Sequence, residues 1–461
     1  MGRSAAQSCP LPHDVVPGVL TGLPAKSVAR FLCVSKAWSS LILHDPTFSS
    51  SYRNIARARQ QVNPTYLVQH RDCELDHRNS ETDDSDDDVK GCNQYRSPDY
   101  FSLLDGKTKK VKSVIENPCH PHHYQNNKSR GLYRLLGFDG GLVLVGEYCG
   151  HVYLWNPSIN KVKALAPFPD HSDQVKQALD SRDGEASKLY DMITYLHGMC
   201  NNNVDCKVVR ICSYVIDWHN EDIFDYRVEG EAFVYSLSTD SWKRITSNDS
   251  SKPGANVHIP GFMWPVRSLH KRGYSHSHAS LNGTSHWIAQ SPEWHWPMWG
   301  GIMTFNYDSE EVGGIKLPPY DSKFAYEHVE LTLGIYKDLL SVMITTPATG
   351  MSKTLHDYNL WVLKDYREDG QWEHSFRIES VTYYPVSFGC DAQVLMSTEG
   401  RKKLCSIGKE GAEQMFKVKA QRIKMSSRKY KLWDIIPYTE SLALLDQGTC
   451  LPMNVKEIKI G

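Results

Sequence analysis

Residues 151–169 read HVYLWNPSINKVKALAPFP. A short apolar run from Val152 to Trp155 ends in Asn156-Pro157. Asn can bond its own backbone and Pro fixes φ, so this pair opens a turn, and Trp155 anchors the strand end. A second strand starts at Lys161 and runs into Leu165 and Pro167. The stretch is a β-hairpin with a turn of four to five residues. The same logic recurs at 101–114 (FSLLDGKTKKVKSV), 233–246 (FVYSLSTDSWKRIT) and 302–319 (IMTFNYDSEEVGGIKLPP). Residues 357–378 are a longer version, and 392–407 form another. Further strands lie between the hairpins, at 141–150, 206–216, 277–290 and 331–347. Within 277–290, Asn282-Gly283 favours a tight turn between Leu281 and Trp287. Inner strands followed by an outer hairpin, repeated unevenly, give four-stranded sheets around an axis. The predicted fold class is mainly β, a β-propeller with irregular repeats. A two-sheet sandwich is the alternative, and a strand-rich region from 66 to 456 is long for one sandwich.

The chain has 461 residues, 40% hydrophobic and 11% aromatic, enough for a sizeable core and more than one domain. A net charge of -1 argues against general nucleic-acid binding and against polybasic membrane docking. No apolar run reaches the roughly 18 residues of a membrane span. The opening MGRSAAQSCPLPHD lacks a long apolar core, so no signal peptide is expected. The 12 cysteines are scattered without a repeating close pair. They read as reduced thiols of a protein in the cytoplasm and/or nucleus.

The front of the chain has a different period. Asp14 is a candidate helix cap, after which Val15, Val16, Val19, Leu20 and Leu23 fall on one face. Pro17 fits the first turn. Gly18 weakens the helix by about 1 kcal/mol relative to Ala, and Pro24 ends it. A second helix near Ser27 uses Val28, Phe31 and Leu32. A third, capped by Ser35, carries Trp38, Leu41 and Ile42 and stops at Asp45-Pro46. The polar, basic residues 51–65 lead out of this module, whose predicted span is 10–50. Three short helices carry more apolar area than so small a bundle can bury, and such a surplus marks a partner surface. The alternative is a helical cap packed on the following domain.

Residues 11–48 resemble an F-box. The pattern is carried by Leu11, Pro12, Asp14, Leu20, Leu23, Pro24, Lys26, Ser27, Arg30, Phe31, Cys33, Val34, Ser35, Lys36, Trp38, Leu41, Ile42, Pro46 and Phe48. Gly18 and Val19 stand where the family usually has Glu and Ile, and Gly22 and Leu32 replace its arginines. The resemblance implies binding to the small adaptor subunit of a cullin-RING ubiquitin ligase, and through it to the cullin scaffold. The adaptor-contact residues it implies are Leu11, Pro12, Leu20, Leu23, Pro24, Val28, Phe31, Val34, Trp38, Leu41 and Ile42.

The strand-rich region resembles the F-box-associated, kelch-like domain of plant proteins. The resemblance rests on Trp155-Asn156-Pro157, on LNGTSHWIA at 281–289, on the hairpins at 302–319 and 357–378, and on PYTESLALL at 437–445. It implies the substrate-recognition subunit of an SCF-type E3 ligase that bridges the adaptor and an unknown target protein. Such a chain is non-catalytic and needs no cofactor. The rival classes are an interaction scaffold outside ubiquitination with a degenerate F-box, and a carbohydrate-binding or catalytic propeller.

Four other stretches carry residues with potential chemistry or none. The acidic run within 76–94 repels itself and buries nothing, so it reads as a disordered insertion. Cys119, His120, His122 and His123 crowd together, but a second ligand pair at zinc spacing is missing. His276, His278 and His286 form a similar loop cluster, and no metal is assigned to either. No nucleophile elbow, phosphate loop or dinucleotide fingerprint occurs. Trp294, Trp296 and Trp299 crowd one short loop, and Trp264, Arg267, Lys271 and Arg272 lie nearby in sequence. Trp264, Arg267, Trp294, Trp296 and Trp299 are the candidate target-binding residues. The alternative is that these rings fill the channel or the seams between sheets.

Overall fold

The computed structural model describes residues 15–72, 100–108, 110–116, 134–146, 151–169, 194–202, 205–216, 227–245, 264–265, 278–290, 299–319, 329–348, 355–366, 370–389, 393–398, 404–407, 414–416 and 430–447. The acidic segment 76–94, the Cys119–His123 cluster and His276 fall outside them.

Helices come first. α1 (Val16–Thr21) begins after Val15, which offers no side-chain cap, and Asp14 lies outside the described residues. α2 (Ala25–Arg30) starts directly after Pro24, two residues earlier than the sequence pattern indicated, and runs into a single 3-10 turn at Phe31–Cys33. α3 (Lys36–His44) is capped as expected, with the Ser35 side chain accepting from the Trp38 amide. The predicted exit at 51–65 is instead mostly a fourth helix, α4 (Pro46–Val62). Asp45 both ends α3 and starts α4. Its Oδ1 accepts the Thr47 and Phe48 amides at 2.8 and 3.1 Å, and Pro46 fills the first helical position. Phe48, Tyr52, Ala56 and Gln60, spaced by four, form the buried face of α4. The helical region therefore continues past residue 50.

Six sheets follow, each antiparallel. The first contains β1 (Thr65–Asp72), β2 (Tyr100–Asp105) and β3 (Val111–Glu116). The second is β4 (Arg134–Asp139), β5 (Leu142–Gly146), β6 (Val152–Asn156) and β7 (Lys161–Ala164). The third is β8 (Thr194–Asn201), β9 (Cys206–Ile216), β10 (Arg227–Ser236) and β11 (Ser241–Ile245). In the fourth, β12 (Trp264–Pro265) and β13 (His278–Leu281) both pair with β14 (Thr284–Gln290), followed by β15 (Trp299–Asn306) and β16 (Glu311–Ile315). The fifth is β17 (Glu330–Tyr336), β18 (Leu339–Pro347), β19 (His356–Asp365) and β20 (Gln371–Val381). The sixth is β21 (Tyr383–Phe388), β22 (Val394–Thr398), β23 (Leu404–Ile407) and β24 (Gln414–Phe416). The last strand, β25 (Tyr430–Pro437), returns to pair with β1 and completes the first sheet.

The result is a six-bladed propeller, not a sandwich. Each pair of neighbouring blades shares one apolar cluster, and these clusters close a ring. Blade 1 meets blade 2 through Leu67, Phe101 and Ile436 against Val143 and Trp155. Blade 2 meets blade 3 through Leu144 and Leu154 against Val208 and Tyr235. Val209 and Val234 of blade 3 face Trp287 and Phe305 of blade 4. Ile302 and Ile315 of blade 4 face Leu331 and Val342 of blade 5. Met343 and Leu360 of blade 5 face Val394 and Met396 of blade 6. Val386 and Leu395 of blade 6 return to Tyr66 and Ile435 of blade 1. Successive residues of one strand feed opposite seams, as Val208 and Val209 do, because strand side chains alternate. Both faces are covered, so β5 is buried along its whole length and reads as an unbroken apolar run.

Strand directions give the propeller two unlike ends. At one end the connections are short, from two residues at Gly140–Gly141 to six at 408–413. Several follow one recipe. Asp105, Asn156 and Asn306 each accept a main-chain amide two residues on, at 3.0, 3.0 and 2.8 Å. Asn160, Asp240 and Glu310, each the last residue of its turn, take positive φ of 57°, 50° and 56°. Asn282 and Gly283 form the expected two-residue turn, with φ of 50° and 72°. At the other end lie the chain ends that bound 73–99, 170–193, 246–263 and 291–298.

Candidate functional site

The four helices sit at the short-turn end. Their core joins Val16, Leu20, Ala25, Val28, Ile42, Phe48, Tyr52 and Ala56 to Leu445, with Ile159 and Leu442 of the propeller packed against it. Leu20, Val28 and Ile42 are 1%, 0% and 5% exposed. The family resemblance implies adaptor contact for these three, and in this chain their side chains fill the interior of the helical module. Their role in the chain is to hold the helices together. Leu23, Phe31, Trp38 and Leu41 are half-buried, Pro24 and Val34 are exposed, and Leu11 and Pro12 lie outside the described residues. Phe31 meets Trp38 edge-on with ring centroids 5.3 Å apart.

The surplus apolar surface is concentrated here. Among the described residues the large exposed hydrophobics are Val15, Val19, Val34, Ile55, Val62 and Tyr366. All but Tyr366 lie in the helical region, residues 15–62. Lys26, Arg30 and Lys36 are exposed on the same small body. A folded domain rarely leaves apolar side chains in water in such concentration without a partner.

The segment after β25 ties the helices to the blades. Tyr438 shares a hydrogen bond with Ser158 in the β6–β7 turn. A Glu440 carboxylate oxygen accepts the Ala25 amide at the start of α2, at 3.3 Å. Asn156 Nδ2 donates to the Ser441 and Ala443 carbonyls at 3.0 and 2.8 Å. Lys161 Nζ donates to the Leu445 carbonyl at 2.6 Å. Gly141 has φ +80°, and a Cβ there would come within 2.5 Å of the Thr439 carbonyl, so the close passage of this segment requires glycine. From the other side, Arg53 of α4 donates to the Asn201 carbonyl at 3.1 Å. Arg59 donates to the Thr21 and Leu23 carbonyls at 2.8 and 3.4 Å. Gln60 and Thr65 bond reciprocally at 2.7 and 2.9 Å, which sets the angle between α4 and β1.

A cavity of about 470 Å³ remains at this junction, lined by Arg53, Arg57, Asp139, Asp205 and Glu440 among others. Asp139 accepts the Asn201 amide at 2.7 Å. Burial pushes the Asp139 carboxyl up, opposed by that amide and by Arg57 and Arg53. Burial likewise pushes the Arg53 guanidinium down.

Elsewhere the propeller buries several imidazoles. His70 and His286 are pushed down to about 4 by burial. His197 is pushed well below its ordinary value by burial, then by the charges of Arg210 and His278. His278 and His286 do not converge. Ala279 pairs with His286 across β13 and β14, so the two imidazoles leave opposite faces of the sheet. Among the described residues no group of three His, Cys, Asp or Glu side chains is placed to hold a metal.

At the far end, Gln290 of β14 is flanked in register by Trp264 of β12 and Trp299 of β15. The backbone thus brings these two candidate positions to the two strands that flank β14, at the end away from the helices. Arg267, Lys271, Arg272, Trp294 and Trp296 lie outside the described residues. Sequence reasoning missed α4 and the role of Glu440. The Asp45-Pro46 pair and the four-residue spacing from Phe48 to Gln60 were the available signals for α4. No local signal announces that Glu440 reaches Ala25.

Comparison with known proteins gives the same division. The F-box domain matches residues 9–49, and the F-box associated beta propeller domain matches residues 97–444. The chain is similar to F-box protein CPR1 of Arabidopsis thaliana, 24% identical over 376 residues, which cover 80% of this chain and 73% of that one. It is also similar to an F-box/kelch-repeat protein of Arabidopsis thaliana, 23% identical over 375 residues, covering 81% and 80% of the two chains.

Proposed function

The chain belongs to the F-box associated beta propeller family, and on that premise we propose that it is the substrate-recognition subunit of a cullin-RING ubiquitin ligase. The helices bind the small adaptor subunit, the adaptor binds the cullin scaffold, and the propeller presents an unidentified target protein. The observation that carries this reading is the gathering of exposed apolar side chains on the helices while the blades satisfy one another. On the F-box proper, Val19 and Val34, with half-buried Phe31 and Trp38 beside them, offer the adaptor surface.

The chemistry is attack of a target lysine on a ubiquitin thioester, carried by other subunits. This chain supplies proximity, and proximity is useful only if geometry is kept. The bonds through Asn156, Lys161, Arg53 and Glu440 hold the helices in one orientation on the blades. The target is met at the far end, where the long connections leave the strands and where Trp264 and Trp299 flank Gln290. Trp294, Trp296 and Arg267, outside the described residues, are the remaining candidate target-binding positions. Buried unpaired thiols such as Cys200 and Cys206 support a place in the reducing cytoplasm or nucleus.

The test is recovery of the tagged full chain from cells. Adaptor and cullin should come with it, and Val34→Asp combined with Trp38→Ala should release both while the chain stays folded. Recovery of a folded chain without the adaptor would favour a scaffold outside ubiquitination.

A further inference from the structure

Helix α4 carries an exposed stripe that the F-box match does not include. That match ends at residue 49. Ile55, Ala58 and Val62 are spaced by three and four and share one side of the helix. All three are exposed, Ile55 at 38% and Val62 at 64%. This side is distinct from the buried face of Phe48, Tyr52, Ala56 and Gln60, and from the side on which Arg53 reaches the propeller. We propose that the stripe Ile55–Ala58–Val62 extends the adaptor-binding surface beyond the F-box, and that an apolar face of the same adaptor subunit covers it. The inference rests on the functional reading above.

Three observations select this occupant. First, the stripe is continuous with the F-box body. Arg59, one helical turn after Ile55, holds the Thr21 and Leu23 carbonyls and so clamps α4 against the α1–α2 corner. Val15, just before that same α1, and Val19 within it are both exposed. Second, the stripe has no charge to desolvate. Its exposed flanking residues Ser51, Asn54 and Gln61 are neutral, and the Arg59 guanidinium is committed to backbone carbonyls. An apolar partner on this stripe therefore covers uncharged side chains, while the one charged neighbour, half-buried Arg59, keeps its carbonyl partners. Third, with Tyr366 set aside, every large exposed hydrophobic among the described residues lies on this one body.

The test uses the folded full chain and the purified adaptor subunit. Ile55→Glu with Val62→Glu should weaken adaptor binding by about tenfold or more, while the thermal midpoint stays near that of the wild type, because both side chains already face water. Tyr366→Glu, an exposed change on the propeller, should leave affinity unchanged. A photo-crosslinking side chain at position 62 of the otherwise unaltered chain should trap the adaptor, and one at position 366 should not. This arm decides the matter even if the double variant unfolds. Affinity within twofold of wild type together with no crosslink from position 62 would overturn the inference while leaving the F-box reading intact. A wild-type chain that shows no adaptor binding, and on which Val34→Asp has no effect, would overturn the functional reading and this inference with it.

Discussion

The two ends of the propeller are built from the same strands but solve different problems. At the helix end, turns of a few residues are pinned by side chains that bond their own backbone, such as Asp105, Asn156 and Asn306. Asn156 does this while its amide nitrogen holds the segment that carries Ser441 and Ala443. At the far end the strands open into connections as long as 73–99. One end is specified residue by residue because another body must seat on it. The other tolerates length and composition that no blade needs. A change at the helix end should therefore cost stability, and a change at the far end only recognition.

The largest loss is expected at the seam between blades 1 and 2. Trp155 is fully buried between blades 1 and 2, with its ring centroid 4.8 Å from that of Phe101. Trp155→Ala should cost about 3–5 kcal/mol of stability, read as the midpoint of chemical denaturation. A loss below about 1 kcal/mol would mean that the seam is not a cooperative part of the ring.

Acid should come next. His70 and His286 have folded pKa values near 4, below the unfolded value of about 6.5. The unfolded chain therefore binds more protons between those values, so stability is full above about pH 6.5 and falls as pH drops toward 4. Each imidazole contributes at most about 3 kcal/mol to the fall, and His197 adds in the same direction. Asp139, pushed up by burial, opposes them. Thermal midpoints should be level from pH 7 to 8 and decline from 6.5 to 4.5. His70→Asn should flatten part of that decline, and an unaltered slope would contradict the burial argument.

Asn156→Ala removes two bonds to the closing segment and one to the turn. It should cost about 1–3 kcal/mol and raise hydrogen exchange in residues 438–446 and at the start of α2. A change confined to blade 2 would mean that the helices do not depend on this tie. At the far end the smallest effect is expected. Deletion of 76–94 should move the thermal midpoint by only a few degrees, because the acidic run has no apolar surface to bury. A large drop would erase the distinction between the two ends.

Much of this was legible in the sequence, for reasons that differ by region. The six hairpins were readable because Asn, Asp and Gly at their turns act locally. The helical pattern from Leu20 to Ile42 was readable because it keeps helical spacing. Blade number was not, since β25 completes the first blade by pairing with β1 from the other end of the chain. The split of the helical face into interior and surface was not readable either. Leu20, Val28 and Ile42 look like surplus apolar area until Leu442 and Leu445 arrive from the propeller to bury them. The helix α4 hid behind Asp45-Pro46, which marks an end and a beginning at once.

The most direct test of the proposed function is a calorimetric titration of the folded full chain with the purified adaptor subunit. The structure leads to saturable one-to-one binding, micromolar or tighter, with a negative heat-capacity change from burial of the exposed valines and Ile55. Absence of saturable binding by a chain whose thermal melt is intact would contradict it.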